Sequence, residues 1–430
     1  MEASLLDNME IVDSKEENSF VAKVRQAAIG LKDIINPTPL AKNLNYSDAF
    51  SANICFKRED LQIVRSYKIR GAYNKIMSLN KAQKTKGIVC ASAGNHAQGV
   101  AYSCQQLAIM GTIFMPNITP KQKIKQVEMF GKHFIDIVLT GDTYDDSYHE
   151  AQVYCNDENK TFIHPFNDQK VIEGQATVGL EILTSTKEKI DYLFLPVGGG
   201  GLAAGVGSIF KALSPETKII GIEPSGAPSM KTSIDLGKVT ELDKIDAFVD
   251  GAAVKRVGDI TYGICKDVLT DMVTIPEGKV CTTILKLYNE EAIVAEPAGA
   301  LAISALDLYK DEIKGKNVVC VISGSNNDIT RTEEIKERSL LYEGLKQYFI
   351  IRFPQRAGAL QEFLTEVLGP GDDIVHFEYS KKNSREKGPA LIGIELQKKE
   401  NLEALFSNLK LKNFVYEYLN DRQDLLQYLV

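Results

Sequence analysis

The sequence lacks the charge pattern of a nucleic-acid-binding protein. Its 50 Lys and Arg side chains are outnumbered by 57 Asp and Glu side chains, which gives a formal net charge of −7. Overall charge gives no support for binding a phosphate backbone, so we expect no nucleic-acid partner. Hydrophobic residues at 44% and charged residues at 25% are ordinary for a globular protein and exclude a largely disordered chain.

The cysteines and histidines lack the spacings of structural sites. None of the seven cysteines belongs to a C-x-x-C pair, and the five histidines show no spacing typical of zinc ligands. Several cysteines lie inside apolar runs, as buried thiols do. We therefore expect a reduced, intracellular protein without disulfides and without a bound metal.

Membrane and export signals are missing as well. The first 17 residues carry six acidic side chains and only Lys15 as a basic one, unlike a secretory or transit peptide. The apolar stretch 192–210 contains Pro196 and four consecutive glycines, which would break a spanning helix. We expect no membrane contact and a cytoplasmic location.

Short, β-branched apolar runs alternate with segments of helical periodicity through the first three-quarters of the chain. Such runs are typical of strands that are buried on both faces of a parallel sheet. The alternation predicts an α/β fold with helices on both faces of mostly parallel sheets. The predicted strands are 88–91, 112–115, 135–139, 192–197, 218–222 and 318–322, and the predicted helices are 97–107, 121–130, 144–155 and 202–213.

The pattern changes after the charged stretch 331–343. A βαββαβ order follows, which is that of a ferredoxin-like unit and resembles the ACT-like modules that regulate amino-acid enzymes. We therefore predict a catalytic domain at 1–341 and a regulatory domain at 342–430. The predicted tail elements are the strand 346–353, the helix 357–368, the strands 373–379 and 390–396 around a turn at 381–388, the helix 401–409 and the strand 414–418.

A run of four glycines follows one predicted strand and precedes a helix that begins near Leu202. Unhindered amides at a helix N-terminus form a nest suited to phosphate. The run also satisfies the dinucleotide fingerprint G-x-G-x-x-A through Ala203, with Glu223 about twenty residues on as a candidate ribose ligand. A nicotinamide-dependent oxidoreductase is therefore an open alternative at this point. The four glycines are Gly198, Gly199, Gly200 and Gly201.

A second motif, S-Y-K-I-R-G-A at 66–72, places Lys68 beside Tyr67 where a helix is expected to begin. Most lysines are solvated surface charges. Near a helix N-terminus, however, the dipole favours the neutral amine, which is the nucleophilic form. Lys68 is therefore a candidate nucleophile.

These two motifs and the loop S-A-G-N-H-A-Q-G at 92–99 resemble, in this order, the motifs of the threonine dehydratases. The resemblance extends from about Val21 through nearly the whole chain. It implies a fold-type-II, tryptophan-synthase-β-like catalytic domain of two open, mostly parallel sheets, followed by a single ACT-like domain. It further implies pyridoxal 5′-phosphate as cofactor, L-threonine and also L-serine as substrates, and 2-oxobutanoate and ammonia as products. The reaction would be the first step of isoleucine biosynthesis, and isoleucine, the end product, would inhibit it. The resemblance also implies a homotetramer.

The resemblance also assigns roles to individual residues. Lys68 would hold the cofactor covalently and move the proton of the substrate Cα atom. Asn167 and Glu296 would lie only at the edge of the pocket. The other cofactor-binding residues would be Asn95, Gly198, Gly199, Gly200, Gly201, Leu202 and Ser323, and the substrate-binding residues would be Ser92, Ala93, Gly94, Asn95 and His96.

Two departures from related enzymes refine this expectation. Ala93 stands where related racemases carry a serine, so we expect elimination rather than racemisation. Glu223 lacks the acidic neighbour of the relatives that bind a divalent cation. Serine dehydratase, threonine synthase and a non-catalytic amino-acid sensor remain as further alternatives.

Overall fold

The computed structural model describes residues 19–354, 356–379 and 387–422 of the chain. Their contacts define two compact units. The first comprises the chain up to Glu277 together with Leu287–Asn327, and the second comprises Gly278–Lys286 and the chain from Asp328 onward.

Within the described residues, the first unit contains ten strands and most of the helices. The strands are β1 (Leu40–Lys42), β2 (Asn53–Arg58), β3 (Ile88–Ala91), β4 (Gly111–Met115), β5 (Ile135–Leu139), β6 (Thr161–Phe162), β7 (Tyr192–Pro196), β8 (Lys218–Pro224), β9 (Asp271–Ile275) and β10 (Asn317–Ile322). The helices are α1 (Phe20–Leu31), α2 (Leu44–Phe50), α3 (Lys68–Met77), α4 (Lys81–Lys86), α5 (Asn95–Leu107), α6 (Lys121–Gly131), α7 (Tyr144–Asp157), α8 (Gln169–Ser185), α9 (Gly201–Leu213), α10 (Ser229–Asp235), α11 (Asp259–Val268), α12 (Glu277–Glu291, which extends into the second unit) and α13 (Pro297–Ser304).

The larger sheet has six strands in the order β1-β2-β10-β7-β8-β9. All neighbours are parallel except the edge pair β1 and β2. Its central strand β10 reads Asn-Val-Val-Cys-Val-Ile, and the last five of these residues are buried, as expected for a strand covered on both faces. The carboxyl ends of β10, β7 and β8 therefore meet at one edge, where ligands bind in such sheets.

The smaller sheet is fully parallel, with the order β5-β4-β3-β6. Every residue of β3 and β4 is buried. Ile88 and Cys90 of β3 pack with Ala97, Val100 and other residues of α5 in one apolar cluster. This packing fixes the N-terminus of α5 beside the carboxyl end of β3.

The second unit contains an antiparallel sheet of order β12-β13-β11-β14, with α15 and α16 between its strands in the chain. This is the strand order of a ferredoxin-like fold. Its core is formed by Phe349, Phe363, Ile392 and neighbouring apolar residues. The elements are α14 (Thr332–Tyr342), β11 (Lys346–Pro354), α15 (Ala359–Glu366), β12 (Asp373–Tyr379), β13 (Lys387–Glu395), α16 (Asn401–Leu411) and β14 (Val415–Tyr418).

The structure confirms the predicted fold class of parallel α/β sheets followed by a ferredoxin-like unit. The strands 88–91, 135–139 and 373–379 have the predicted bounds. The predicted helix 357–368 is shorter because Gly358, with φ of 84°, adopts a left-handed conformation immediately before it. The turn predicted at 381–388 is wrong at its C-terminal end, because Gly388 pairs with Phe353 in the sheet. Residues 381–386 of this predicted turn lie outside the described part of the chain.

None of the helices in the described ranges has both the length and the apolar character needed to cross a membrane.

Candidate active site

Lys68 is the first residue of α3, and the loop before it is attached to the end of β10. The backbone N–H of Tyr67 donates to the carbonyl oxygen of Ser323 at 3.2 Å, and Ser66 forms a β-bridge with Gly324. Lys68 and Ser323, which are far apart in sequence, therefore lie on adjoining backbone segments.

The amine of Lys68 is partly buried. Its Nζ atom donates to the carbonyl oxygen of Pro165 at 3.0 Å and lies 5.5 Å from the centroid of the Tyr67 ring. Burial lowers the pKa of Lys68 to about 8, and the carboxyl group of Glu296 opposes this shift. The helix dipole of α3 also favours the neutral form, which is the form that a nucleophile or base requires.

The four glycines form the turn from β7 into α9. Gly200 has φ of 91°, a left-handed conformation that glycine adopts without strain, and Gly201 begins the helix. A Cβ atom on Gly199 would lie 2.3 Å from the ring of Phe166, and one on Gly201 would lie 2.4 Å from Oε1 of Gln175. The chain therefore needs glycine here, and the first amides of α9, including that of Leu202, have no partner within the helix.

A short segment connects the lysine to this glycine turn. Pro165 accepts the hydrogen bond from Lys68, and the next residue, Phe166, packs against Gly199. His164 Nδ1 accepts the backbone N–H of Phe166 at 3.2 Å, which fixes the turn. The amine and the candidate phosphate site are therefore positioned by consecutive residues.

The loop after β3 leads into α5, and its residues from Ser92 to Asn95 are partly exposed. Gly94 precedes the helix and donates its N–H to Ser92 Oγ at 3.2 Å. A Cβ atom on Gly94 would meet nothing within 4 Å, so space lies open in front of this helix end. Open space and free amides at a helix N-terminus suit a carboxylate. Ala93 lies in the same loop.

His96 is buried behind this loop. Its Nε2 atom lies 2.9 Å from the carbonyl oxygen of Ile163, whereas its Nδ1 atom has no hydrogen-bond partner among the residues that the structure describes. Burial, with the charge of Lys68 as the next cause, lowers the pKa of His96 to about 3. His96 is therefore neutral at physiological pH, and its Nδ1 atom is an unpartnered acceptor, as expected beside a ligand site.

Glu296, expected only at the edge of the pocket, lies inside the site. It is 4% exposed, and its Oε1 atom accepts Asn95 Nδ2 at 2.6 Å while Oε2 accepts the backbone N–H of Asn326 at 3.1 Å. Burial, followed by the charge of Asp250, raises the pKa of Glu296 to about 7. The sequence signal was its position immediately before Pro297 at the start of a helix, but only the fold brings it to Asn95.

Glu223 does not point to a nucleotide. Its carboxylate accepts the backbone N–H groups of Met230 at 2.7 Å and Lys231 at 2.9 Å, so it is committed to the N-terminal part of α10. The proposed ribose contact is therefore wrong. In the described residues, no group of three or more His, Cys, Asp or Glu side chains has the arrangement of a metal site.

The fold brings the predicted residues together from separate strands. Lys68 and Ser323 adjoin through Tyr67, the glycines adjoin Lys68 through 165–166, and Asn95 is joined to the β10 end through Glu296 and Asn326. The side chain of Asn167 binds a different segment, because its Oδ1 accepts the backbone N–H of Ile260 at 3.0 Å. The part played by Pro165 is a backbone contact that sequence patterns do not reveal.

Comparison with known families identifies this arrangement. Residues 31–324 match the family described as pyridoxal-phosphate dependent enzymes, and residues 337–429 match the C-terminal regulatory domain of threonine dehydratase. The chain belongs to the pyridoxal-phosphate-dependent enzyme family. The nicotinamide-dependent alternative is thereby removed, and the cofactor is pyridoxal 5′-phosphate.

Several members of this family are similar over almost their whole length. The chain is 58% identical over 400 residues to a biosynthetic L-threonine dehydratase of Halalkalibacterium halodurans. The aligned region covers 93% of this chain and 96% of the relative. It is 56% identical over 417 residues to the corresponding protein of Bacillus subtilis, with coverage of 96% and 99%.

Solved structures share the fold of this chain. The processed form of threonine deaminase isoform 2 from Solanum lycopersicum superposes with a TM-score of 0.72 at 38% identity, over 76% of this chain and 94% of that one. A maize serine racemase superposes with a TM-score of 0.69 at 27% identity, over 75% and 98%.

Proposed function

We propose that this protein is an L-threonine ammonia-lyase that catalyses the first step of isoleucine biosynthesis. Loss of the Cα proton and the β-hydroxyl group of L-threonine as water would give an aminocrotonate, which tautomerises and takes up water to yield 2-oxobutanoate and ammonia. L-Serine would be a second substrate. The observation that carries the proposal is the partly buried amine of Lys68 beside a glycine turn suited to phosphate. The names of the similar proteins, biosynthetic threonine dehydratases, support the choice of substrate.

The residues present fit pyridoxal 5′-phosphate. The glycine turn and the amide of Leu202 would hold the phosphate, and the hydroxyl of Ser323 would lie against the ring nitrogen. Asn95 donates one side-chain N–H to Glu296, and its other N–H would bind the phenolic oxygen. When bound, the cofactor withdraws electrons from the substrate Cα atom and so makes its proton more acidic.

Lys68 would both hold the cofactor and carry the proton. A base with a pKa of about 8 takes up a proton and gives it up again near the pH of the cell. The hydrogen bond to Pro165 holds the amine in place, so the base would already be positioned for proton transfer. The cofactor would supply the electron withdrawal, and the amine of Lys68 would accept and return the proton.

The start of α5 would bind the substrate carboxylate. Ser92, Ala93, Gly94, Asn95 and His96 supply small side chains and backbone amides in front of a helix N-terminus. Because His96 is neutral, it would not add a positive charge to that of Lys68 at the carboxylate site.

Elimination would be favoured over the other reactions of this cofactor. A serine hydroxyl such as that of Ser323 does not hold the ring nitrogen protonated as an aspartate would, so the ring withdraws electrons less strongly. Ala93 provides no second acid or base for reprotonation on the opposite face, which disfavours racemisation. D-Serine formed from L-serine as fast as pyruvate would contradict this assignment.

The tail would be the regulatory part of the enzyme. We propose residues 1–341 as the catalytic domain and 342–430 as the regulatory domain, with isoleucine as an inhibitor that binds unequally to two states. The match to a threonine dehydratase regulatory domain supports this role. The turn 354–360 resembles the ligand loop of ACT-like modules and would bind the effector. Gln355 in this turn lies outside the described residues.

The proposal extends to the assembly and the cellular location of the protein. A homotetramer is the expectation from the related enzymes. A cytoplasmic location is supported by the seven cysteines, none of which forms a disulfide in the described part of the chain.

The direct test is formation of 2-oxobutanoate from L-threonine, and of pyruvate from L-serine, by the purified protein loaded with pyridoxal phosphate. Turnover of threonine that isoleucine suppresses is expected. Turnover of serine alone would favour the serine dehydratase alternative. Absence of turnover with cofactor bound would contradict the lyase assignment, and turnover insensitive to isoleucine would contradict the regulatory one.

A further inference from the structure

Two asparagines and one carboxyl group form a closed hydrogen-bonded set beside the site. Asn95 Nδ2 donates to Glu296 Oε1 at 2.6 Å, and the backbone N–H of Asn326 donates to Oε2 at 3.1 Å. The side chain of Asn326 closes the set, because its Nδ2 atom donates to Asn95 Oδ1 at 2.6 Å and to the carbonyl oxygen of Val64 at 2.9 Å.

These contacts determine which way each amide points. The carbonyl oxygen of Val64 can only accept, so the nitrogen of the Asn326 amide must face it. That nitrogen also faces Asn95, so Asn95 must present its oxygen to Asn326. The nitrogen of the Asn95 amide is then directed to Glu296 Oε1, and the backbone N–H of Asn326 donates to Oε2, so both oxygens of this carboxyl group act as acceptors.

Glu296 is held firmly in this position. Its backbone N–H donates to the carbonyl oxygen of Gly324 at 3.1 Å. A Cβ atom on Gly324 would lie 2.4 Å from Glu296 Oε1, and one on Gly251 would lie 3.5 Å from it. The carboxyl group thus occupies space that is available because residue 324 is a glycine, and it has little freedom to release Asn95.

We infer that Glu296 is a positioning residue that acts through Asn95. Its carboxylate holds the Asn95 amide with the nitrogen correctly oriented, so that the second N–H of Asn95 remains a donor for the phenolic oxygen of pyridoxal phosphate. The inference rests on the proposed function only for the identity of that contact. The hydrogen-bond order within the protein stands independently of the reaction.

The substitution Glu296→Gln tests this order with little change of shape. A glutamine amide offers one acceptor and one donor, whereas both neighbours of Glu296, the Asn95 amide nitrogen and the Asn326 backbone N–H, are donors. One donor must lose its partner, so the Asn95 amide is no longer fixed. We expect the dissociation constant for pyridoxal phosphate, measured by fluorescence titration of the apoprotein, to rise about tenfold.

The mechanism of the effect is tested in an Asn95→Ala background. If Glu296 acts through Asn95, Glu296→Gln should leave the cofactor dissociation constant of Asn95→Ala unchanged, whereas a general structural defect would weaken binding in both backgrounds. Glu173, a buried acid of α8 paired with Lys170, provides the matched control, and Glu173→Gln should leave cofactor affinity unchanged. If Glu296→Gln does not fold, Asn326→Ala removes the other contact that orients Asn95 and should weaken binding in the same way.

Unchanged cofactor affinity in the folded Glu296→Gln protein would overturn the inference, as would an equal loss in the Asn95→Ala background. Failure of the proposed function would look different. In that case the unsubstituted protein would bind the cofactor more tightly than Glu296→Gln does, but it would not convert L-threonine.

Discussion

Lys68 and Arg70 are two cations on the first turn of α3, and their surroundings differ sharply. The fully buried Arg70 donates to Glu59 through Nε and Nη2, both at 2.8 Å, and to Glu181 through Nη1 at 2.6 Å. Lys68 has a carbonyl oxygen and an aromatic ring as its close partners. Burial disfavours the charge of both, but the two carboxylates more than offset this at Arg70 and raise its pKa, whereas the pKa of Lys68 falls to about 8.

The comparison shows how one helix end serves two purposes. A buried cation with matched carboxylates stays charged and joins the elements that carry those carboxylates, here the residue after β2 and a residue of α8. A partly buried cation without such partners becomes a titrating amine at neutral pH. The ion pairs of Arg70 thus fix the helix turn that carries Lys68, the candidate reactive amine.

The largest difference between the two residues should appear in activity. Lys68→Met removes the amine, and we expect 2-oxobutanoate formation from L-threonine to fall by more than about 10³-fold, the range of a proton transfer group. Lys81→Met, at an exposed lysine that begins α4, should retain full activity. Residual turnover above a few per cent in Lys68→Met would mean that another group carries the proton.

Stability should respond most strongly at Arg70. Arg70→Met leaves the fully buried Glu59 with Lys57 at 3.9 Å as its remaining ion-pair partner, and we expect a loss of about 3–5 kcal/mol in the free energy of unfolding in urea. Arg256 provides the control, because its pair with Asp259 is well exposed and should contribute less than about 1 kcal/mol. Equal losses in the two variants would break the distinction between buried and exposed pairs.

Cofactor uptake should depend on pH through Lys68. With a pKa of about 8, the neutral fraction of this amine rises about fivefold between pH 7 and pH 8 and by less than twofold from there to pH 9. His96 and His164, whose pKa values burial lowers to about 3 and about 4, stay neutral throughout. The rate of pyridoxal phosphate binding to the apoprotein, followed by absorbance, should show this profile, and a flat rate would contradict it.

The smallest effect should be a gain in stability. The pKa of Lys68 lies below its unfolded value of 10.5, so its charge disfavours the folded apoprotein fully below about pH 8 and progressively less toward pH 10.5. Because Lys68 keeps some exposure, Lys68→Met should stabilise the apoprotein by only about 1 kcal/mol at pH 7. Thermal unfolding of the two apoproteins measures this, and a destabilised variant would contradict the account.

Local patterns predicted the elements and the residues at strand ends. The β-branched run of β3 and the tetraglycine turn are determined within a few neighbouring residues, so the sequence displays them. The Arg70 pair with Glu181 and the Asn95 pair with Glu296 join residues 111 and 201 positions apart, and only the folded chain reveals them. For the same reason Glu296 was placed too far out, and the contact of Glu223 with α10 was not foreseen.

The lysine that holds the cofactor can be identified chemically. Reduction of the holoprotein with sodium borohydride makes the bond between cofactor and lysine permanent, and peptide mass spectrometry then locates it. The account predicts the modification on Lys68 alone, with Arg70 in the same peptide unmodified. Modification of a different lysine, or of none, would contradict the claim that α3 presents the reactive amine.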